Sequence, residues 1–138
     1  MYQLEKKFRF EAAHRLAKGY EGKCKNIHGH SWNGTIVIEC GVLDKYDFGM
    51  DFSLLKDFTK KIEANLDHSI LLIHTDTELI DLCEKNKWLY QSFISNPTCE
   101  TISKWIYELA KLKFAEYPIK VHSVIIEETC TSKCIYHE

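Results

Sequence analysis

Two stretches of the chain alternate between apolar and polar residues, and this alternation constrains the fold more than any other feature of the sequence. Residues 2–14 and 28–40 both follow the period of two that is typical of a half-buried β-strand. In the second stretch the even positions lead into Ile36, Ile38 and Cys40, whereas the odd positions are mostly polar. We therefore predict two strands of an antiparallel sheet, each with one buried face.

Histidines stand at the ends of these two strands. His28 and His30 flank Gly29 at the start of the second strand, so both imidazoles point to the same face. His14 ends the inward-facing row of the first strand, and it meets the other two at the rim of the sheet if the strands pair. Three nitrogen ligands leave the fourth position of a tetrahedral zinc ion open, which is typical of catalytic rather than structural sites. The pattern predicts a Zn2+ site.

Two long helices are predicted from apolar periodicity and capping residues. Asp51 and Ser53 are both good N-caps for a helix whose apolar face ends at Leu66. The run Asn96-Pro97-Thr98 caps a second helix with apolar residues on one face, and Pro118 closes it.

Shorter patterns complete the predicted fold. A weaker helical pattern covers residues 77–87, an aromatic strand covers 88–94, and a strand rich in β-branched residues covers 119–129. The order of strands, helices and strands favours an α+β fold, with an antiparallel sheet and both long helices on one face. A chain of 138 residues is long enough for one core, so we expect a single domain over residues 1–138.

Composition narrows the class of protein. Apolar residues make up 45% of the chain and charged residues 28%, as in ordinary globular domains. The net charge of −2 gives no electrostatic reason to expect a nucleic acid as a partner. No apolar run approaches the length of a membrane span and the N-terminus does not resemble a signal peptide, so we expect a cytoplasmic protein with no membrane partner. For the same reason we expect the six cysteines to be reduced.

One cysteine stands close to the predicted metal site. Cys24 lies in a polar loop over residues 18–26, four residues before His28. A thiol near a divalent cation has a lowered pKa and can act as a thiolate base or nucleophile. The alternatives that spacing alone leaves open are a fourth zinc ligand and an inert loop thiol.

The pair Asp67-His68 stands at the predicted end of the first long helix. A histidine with a neighbouring carboxylate can relay protons near neutral pH. The alternative is an ordinary helix terminus on the surface.

Glu128 continues the apolar row of the last predicted strand. An acid in such a row is unusual unless it has a partner, and a carboxylate can accept two parallel hydrogen bonds from a guanidinium-like edge of a ligand. Glu127 has the opposite parity, so we expect it to be solvated.

Six short motifs follow one another along nearly the whole chain. They are Phe10-Glu11-Ala12-Ala13-His14, Cys24-x3-His28-Gly29-His30, Asp51-Phe52, Leu66-Asp67-His68, Asn96-Pro97-Thr98-x-Glu100 and Glu128-Thr129-Cys130. In this order they resemble the 6-pyruvoyl-tetrahydropterin synthase superfamily, and within it the bacterial 6-carboxy-5,6,7,8-tetrahydropterin synthases of queuosine biosynthesis. The three-residue gap between Cys24 and His28 resembles the queuosine-pathway enzymes, whereas the animal biopterin-pathway enzymes typically have a longer gap.

The resemblance implies a fold, an assembly and a reaction. The fold is the tunnelling fold, in which a trimer closes its sheets into a barrel and two trimers stack as a homohexamer. The reaction converts 7,8-dihydroneopterin triphosphate to 6-carboxy-5,6,7,8-tetrahydropterin, acetaldehyde and triphosphate. The alternatives on the same scaffold are elimination to 6-pyruvoyl-tetrahydropterin and an aldolase-like cleavage of the side chain. A zinc-stabilised pterin-binding module without catalysis is the non-enzymatic alternative.

The resemblance also assigns roles to individual residues. The metal ligands are His14, His28 and His30, the catalytic base is Cys24, and the proton relay is Asp67 with His68. The pterin is anchored by Glu128, with Thr98 and Glu100 among the substrate-binding residues. Between His68 and Asn96 the chain carries a longer segment than the short bacterial form, and this segment follows a catalytic residue.

The metal assignment predicts that loss of one ligand abolishes activity without unfolding the protein. Because the sheet and helices supply their own core, His28→Ala should stay folded while losing metal and turnover. Circular dichroism, metal analysis and an activity assay measure these three properties. Stoichiometric zinc with full activity in the variant would contradict the ligand assignment.

Overall fold

The computed structural model describes all residues from Met1 to Glu138. It contains six β-strands and three α-helices. In chain order they are β1 (Tyr2–His14), β2 (His28–Cys40), α1 (Phe52–Leu66), β3 (Ser69–Ile73), α2 (Thr77–Asn86), β4 (Tyr90–Phe93), α3 (Cys99–Lys113), β5 (Lys120–Thr129) and β6 (Ser132–Tyr136). The strands form one sheet in the order β4-β3-β1-β2-β5-β6. The predicted α+β class is confirmed.

The pairing of β1 with β2 sets the arrangement of the sheet. The two strands are antiparallel along their whole length, with His14 opposite His28, Ala12 opposite His30 and Phe10 opposite Trp32. Side chains of even-numbered residues therefore share one face across both strands.

The shared face of β1 and β2 packs against the two long helices. The Phe10 and Trp32 rings stack at its centre, with their centroids 5.8 Å apart. Burial of side chains of this size stabilises the fold by about 1.5–3 kcal/mol each. The helical contribution to this core comes from Leu55, Phe58 and Ile62 of α1 and from Ile102, Ile106 and Ala110 of α3. Both long helices lie on one face of the sheet, as predicted.

The prediction of a purely antiparallel sheet is wrong on one side. β3 pairs parallel to β1, and β4 pairs parallel to β3. Parallel neighbours need a crossover connection, and α2 provides it between β3 and β4. β6, which follows β5 in an antiparallel hairpin, was not predicted either, because it is a short strand of mixed polarity.

The shorter helix α2 covers the opposite face of the sheet from α1 and α3. Leu79 and Cys83 of α2 pack on Leu72, whereas the neighbouring Leu71 belongs to the core under the long helices. β3 is therefore buried on both faces. This explains its unbroken apolar sequence, which lacks the alternation that revealed β1 and β2.

Capping and the helix lengths follow ordinary rules. Asp51 accepts a hydrogen bond from the Ser53 N–H, Asp76 accepts one from Leu79, and Thr98 accepts one from Thr101. None of α1, α2 and α3 combines the length and the apolar composition that a membrane-spanning helix requires.

The close contact between β1 and β2 yields a prediction about stability. Gly34 lies opposite Phe8, and a Cβ at this position would overlap the Phe8 ring. Phe8 is only 5% exposed, so the ring has little room to move. Gly34→Ala should lower the free energy of unfolding by about 1–3 kcal/mol in urea denaturation. Gly41→Ala, with open space around the new methyl group, should change it by less than about 0.5 kcal/mol. Equal stability of the two variants would contradict the packing described.

Candidate metal and catalytic site

Three histidines meet at the rim of the sheet. His14 ends β1, while His28 and His30 begin β2 on the adjacent strand. One ligand atom of each lies within 4.8 Å of the others, and the Nε2 atoms of His14 and His28 are 3.1 Å apart. These three side chains form the histidine cluster.

Backbone carbonyl groups orient two of the rings. The Nδ1–H of His14 donates to the Pro97 carbonyl at 2.7 Å, and the Nδ1–H of His28 donates to the Asn26 carbonyl at 2.8 Å. A carbonyl can only accept, so each Nδ1 carries the proton and each Nε2 presents a lone pair to the cluster. Burial lowers the pKa of His14 below its ordinary value, against the opposing effect of the Pro97 carbonyl. The neutral imidazole favoured by burial is the form that binds a metal.

The cluster fits a metal ion. The Nε2 atom of His30 is buried and has no hydrogen-bond partner. A buried polar atom without a partner costs about 1–3 kcal/mol, and a metal ion between the three rings would provide one. Three imidazole nitrogens suit zinc, copper, iron or nickel, so the donor set fits any of these metal ions without selecting among them.

A carboxylate from a neighbouring strand points at the same place. The Oε1 atom of Glu128 lies 3.5 Å from Nε2 of His14 and 3.8 Å from Nε2 of His30. Its side chain is 30% exposed, so it lines the cluster while remaining open to a ligand. The adjacent Glu127 pairs with Asn33 and points to the opposite face of the sheet.

The start of α3 adjoins the cluster through Pro97. Thr98 caps the helix, and the exposed Glu100 follows in its first turn. A hydrogen bond with its own backbone N–H, followed by one from the Thr98 side chain, lowers the pKa of Glu100 below its ordinary value. From the sequence, Asn96-Pro97-Thr98 is a helix cap and part of a family motif; only the structure reveals that the Pro97 carbonyl orients a histidine.

Cys24 lies in the loop between β1 and β2, in a short 3-10 turn over Lys23–Lys25. The thiol is half-buried and free. The ligand atoms that converge in the cluster belong to histidines alone, so the geometry does not favour Cys24 as a fourth ligand. The backbone N–H of Leu16 donates to the Cys24 carbonyl at 2.8 Å, which fixes this part of the loop close to the end of β1.

Asp67 and His68 form a hydrogen-bonded pair, with 2.8 Å between Oδ2 and Nδ1. The backbone of Glu11 holds both residues: its N–H donates to Asp67 at 2.8 Å, and its carbonyl accepts from the His68 N–H at 2.6 Å. The hydrogen bond from Glu11, and then that from His68, lowers the pKa of Asp67 below its ordinary value. His68 adopts the left-handed conformation with φ of 57°.

The pair does not join the histidine cluster within this chain. Glu11 has the opposite strand parity to His14, and no hydrogen bond or ion pair connects Asp67 or His68 with the cluster. The His68 side chain is 81% exposed. It is therefore available to a substrate or to a neighbouring molecule.

The fold and the histidine cluster together define an α+β protein with three histidines at the rim of its sheet that could hold a metal ion. The sequence profile of the family described as "6-pyruvoyl tetrahydropterin synthase" matches residues 3–138. The chain belongs to this family, which confirms the resemblance drawn from its motifs.

Individual relatives share nearly the full length of the chain. The 6-carboxy-5,6,7,8-tetrahydropterin synthase of Aquifex aeolicus is 32% identical over 161 aligned positions, covering 99% of this chain and 98% of the relative. The synthase of the same name from Synechocystis sp. is 36% identical over 141 positions, covering 99% and 93%. Among solved structures, an uncharacterised protein of Wolinella succinogenes superposes with a TM-score of 0.86 at 22% identity, covering 99% of this chain and 97% of that one. This structural likeness supports the fold alone.

The contrast between two adjacent acids gives a test of the site. If Glu128 anchors the pterin ring, as the resemblance implies, Glu128→Gln should weaken binding or transition-state stabilisation of the pterin substrate by about 2–4 kcal/mol, because an acceptor would be replaced by a donor facing the donors of the ring. The matched variant Glu127→Gln should change kcat/KM by less than about threefold. Kinetics of both variants with 7,8-dihydroneopterin triphosphate, at equal metal content, measure the difference. The reverse ranking would show that the pterin anchor is misassigned.

Proposed function

We propose that this chain is a 6-carboxy-5,6,7,8-tetrahydropterin synthase of the queuosine pathway, acting on 7,8-dihydroneopterin triphosphate. The observation that carries the proposal is the convergence of Glu128 with the three-histidine cluster on one face of the sheet. Relatives bearing this enzyme name at 32% and 36% identity over nearly the whole chain support it.

The metal in this proposal is zinc, held by His14, His28 and His30. When bound, zinc supplies Lewis-acid chemistry that acidifies the hydroxyl groups of the substrate side chain. The protein prepares the site in advance, since the carbonyl groups of Pro97 and Asn26 already turn two lone pairs inward.

Glu128 fixes the orientation of the pterin. Its two carboxylate oxygens can accept parallel hydrogen bonds from the guanidinium-like edge of the ring. Because this carboxylate stands within 4 Å of two cluster histidines, a ring bound to it carries its side chain past the cluster. Thr98 and Glu100, at the start of α3, complete the binding residues in this proposal.

Cys24 acts as the base. As a thiolate it takes the proton from the substrate side chain, and the Asp67–His68 pair returns or removes a second proton. These proton transfers accompany loss of triphosphate, addition of one water molecule and cleavage of the C1′–C2′ bond, so that C1′ becomes the carboxylate and C2′ with C3′ leaves as acetaldehyde. Glu128 orients the pterin so that C1′ faces the Cys24 thiol. It therefore raises the rate by positioning the substrate and takes no part in breaking or forming bonds.

Product analysis tests the proposed reaction directly. The zinc-loaded protein is incubated with 7,8-dihydroneopterin triphosphate, and pterins, acetaldehyde and triphosphate are quantified. Equal amounts of acetaldehyde and 6-carboxy-5,6,7,8-tetrahydropterin are expected. Triphosphate release with a pyruvoyl product, a hydroxymethyl product, or no turnover at all would each overturn the proposal.

The role of Cys24 can be separated from that of the metal ligands. Cys24→Ala should retain zinc and bind substrate but lose rate by about 10²–10⁴-fold, because only the base is removed. The matched variant Cys130→Ala, which removes an exposed thiol, should keep wild-type kinetics and zinc content. Loss of zinc from Cys24→Ala would show that this thiol is a ligand.

We also propose a homohexamer, a dimer of trimers closed through the sheet edges. β3 pairs only with Ala12–His14 of β1, which leaves the earlier residues of that edge without a strand partner, and β6 has a free outer edge. Free edges are normally covered or paired. The exposed His68 is suited to serve the substrate held by a neighbouring copy in such a ring.

Light scattering should give the mass of six chains of 16.2 kDa.

If His68 serves a neighbouring copy, inactive Cys24→Ala and His68→Ala chains refolded together should regain activity, because mixed assemblies contain complete sites. A stable monomer at working concentration, or no recovery in the mixture, would contradict this part of the proposal.

A further inference from the structure

The position of Cys24 depends on a loop of thirteen residues, 15–27, between β1 and β2. Inside the loop, the N–H of Leu16 holds the Cys24 carbonyl at 2.8 Å. Leu16 follows the metal-site residue His14 by two positions. The placement of the thiol relative to the histidine cluster is therefore set by where the chain runs as it leaves β1.

The course of the chain at this point is fixed by a partly buried ion pair. Nε and Nη2 of Arg15 donate to the two carboxylate oxygens of Asp76 at 2.7 and 2.6 Å. The Asp76 side chain is only 4% exposed, and that of Arg15 is 22% exposed. A bidentate pair fixes the direction of the guanidinium plane as well as its distance.

A second attachment lies close by. The Lys18 N–H donates to the Asn96 side-chain oxygen at 3.2 Å, and the Asn96 amide donates back to the Lys18 carbonyl at 3.4 Å. Both anchors belong to the segment between β3 and α3. β1, β3 and β4 are parallel, so the residues that follow each strand arrive at the same edge of the sheet.

We propose that Arg15 and Asp76 are positioning residues that hold the 15–27 loop so that the Cys24 thiol faces the substrate at the histidine cluster. The proposal rests on the proposed function, because it takes Cys24 to be the base. It gives the long segment between His68 and Asn96 a role: its β3–α2 turn carries Asp76 to the end of β1.

The test begins with Asp76→Asn in zinc-loaded protein. Asparagine caps a helix as well as aspartate, so α2 keeps its N-terminal hydrogen bond while Arg15 loses the charged bidentate partner. A misplacement of about 1 Å can cost 10²-fold in rate, so we expect kcat to fall about 10–100-fold. KM should change by less than about threefold, and zinc content should not change.

Three further variants distinguish the effect of the Arg15–Asp76 ion pair from the effects of neighbouring charges. Arg15→Lys keeps the charge but loses the planar fork, and should also lower kcat. The double variant Arg15→Lys/Asp76→Asn should cost no more than the worse single variant, since the two groups act as one unit. The control is Glu78→Gln, which neutralises an acid 3.6 Å from Arg15 that is 90% exposed, and it should behave as wild type.

A second readout does not depend on turnover. The alkylation rate of Cys24 by iodoacetamide is followed by peptide mass spectrometry, and release of the loop in Asp76→Asn should raise it several-fold while Glu78→Gln leaves it unchanged. If the wild type makes no acetaldehyde, the proposed reaction fails, whereas the alkylation contrast still tests the loop anchor.

Unchanged alkylation in Asp76→Asn, or a kcat within about twofold of wild type, would overturn the inference. Losses that multiply in the double variant, or that track lost zinc, would overturn it too. If Asp76→Asn does not fold, Arg15→Lys decides by the same two measurements.

Discussion

The antiparallel register of β1 and β2 is the constraint on which the rest of the site depends. It sets His14 opposite His28 and puts His30 on the same face one pair further along. A slip of a single residue would turn the side chains of one strand to the opposite face and disperse the cluster. The register is held by the core on that face, where Phe10 and Trp32 stack and the two long helices cover them. The histidine cluster is thus the polar end of a row of side chains whose other members form the core.

The remaining elements supply what the two strands lack. α3 begins beside His14 and orients its ring through the Pro97 carbonyl, and β5 brings Glu128 within 4 Å of two cluster nitrogens. The buried, unpartnered nitrogen of His30 is the clearest indication that the protein is built to hold an ion here. Glu128 and the histidine cluster are separate side chains on one face of the sheet, so a single ligand can contact both.

Much of this was predictable from the sequence, and the omissions have physical causes. Strong alternation revealed β1 and β2, and the parity rule paired the histidines and separated Glu128 from Glu127. β3 was missed because a strand buried on both faces shows no alternation, and the mixed sheet was missed with it. Ion pairs between residues far apart in the sequence, such as Arg15 and Asp76, produce no local sequence pattern from which they could be predicted. The adjacent pair Asp67-His68 was visible, but its distance from the cluster follows from the placement of β3, which the sequence did not reveal.

The central claim is that three histidines alone bind the metal while Cys24 remains free to act as a base. X-ray absorption spectroscopy at the zinc edge, on protein carrying one zinc per chain, tests it most directly. We expect three imidazole nitrogens at about 2.0–2.1 Å and no sulfur among the ligands. A sulfur scatterer at about 2.3 Å would show that a thiol closes the site, and would contradict both the open metal position and the catalytic role of Cys24.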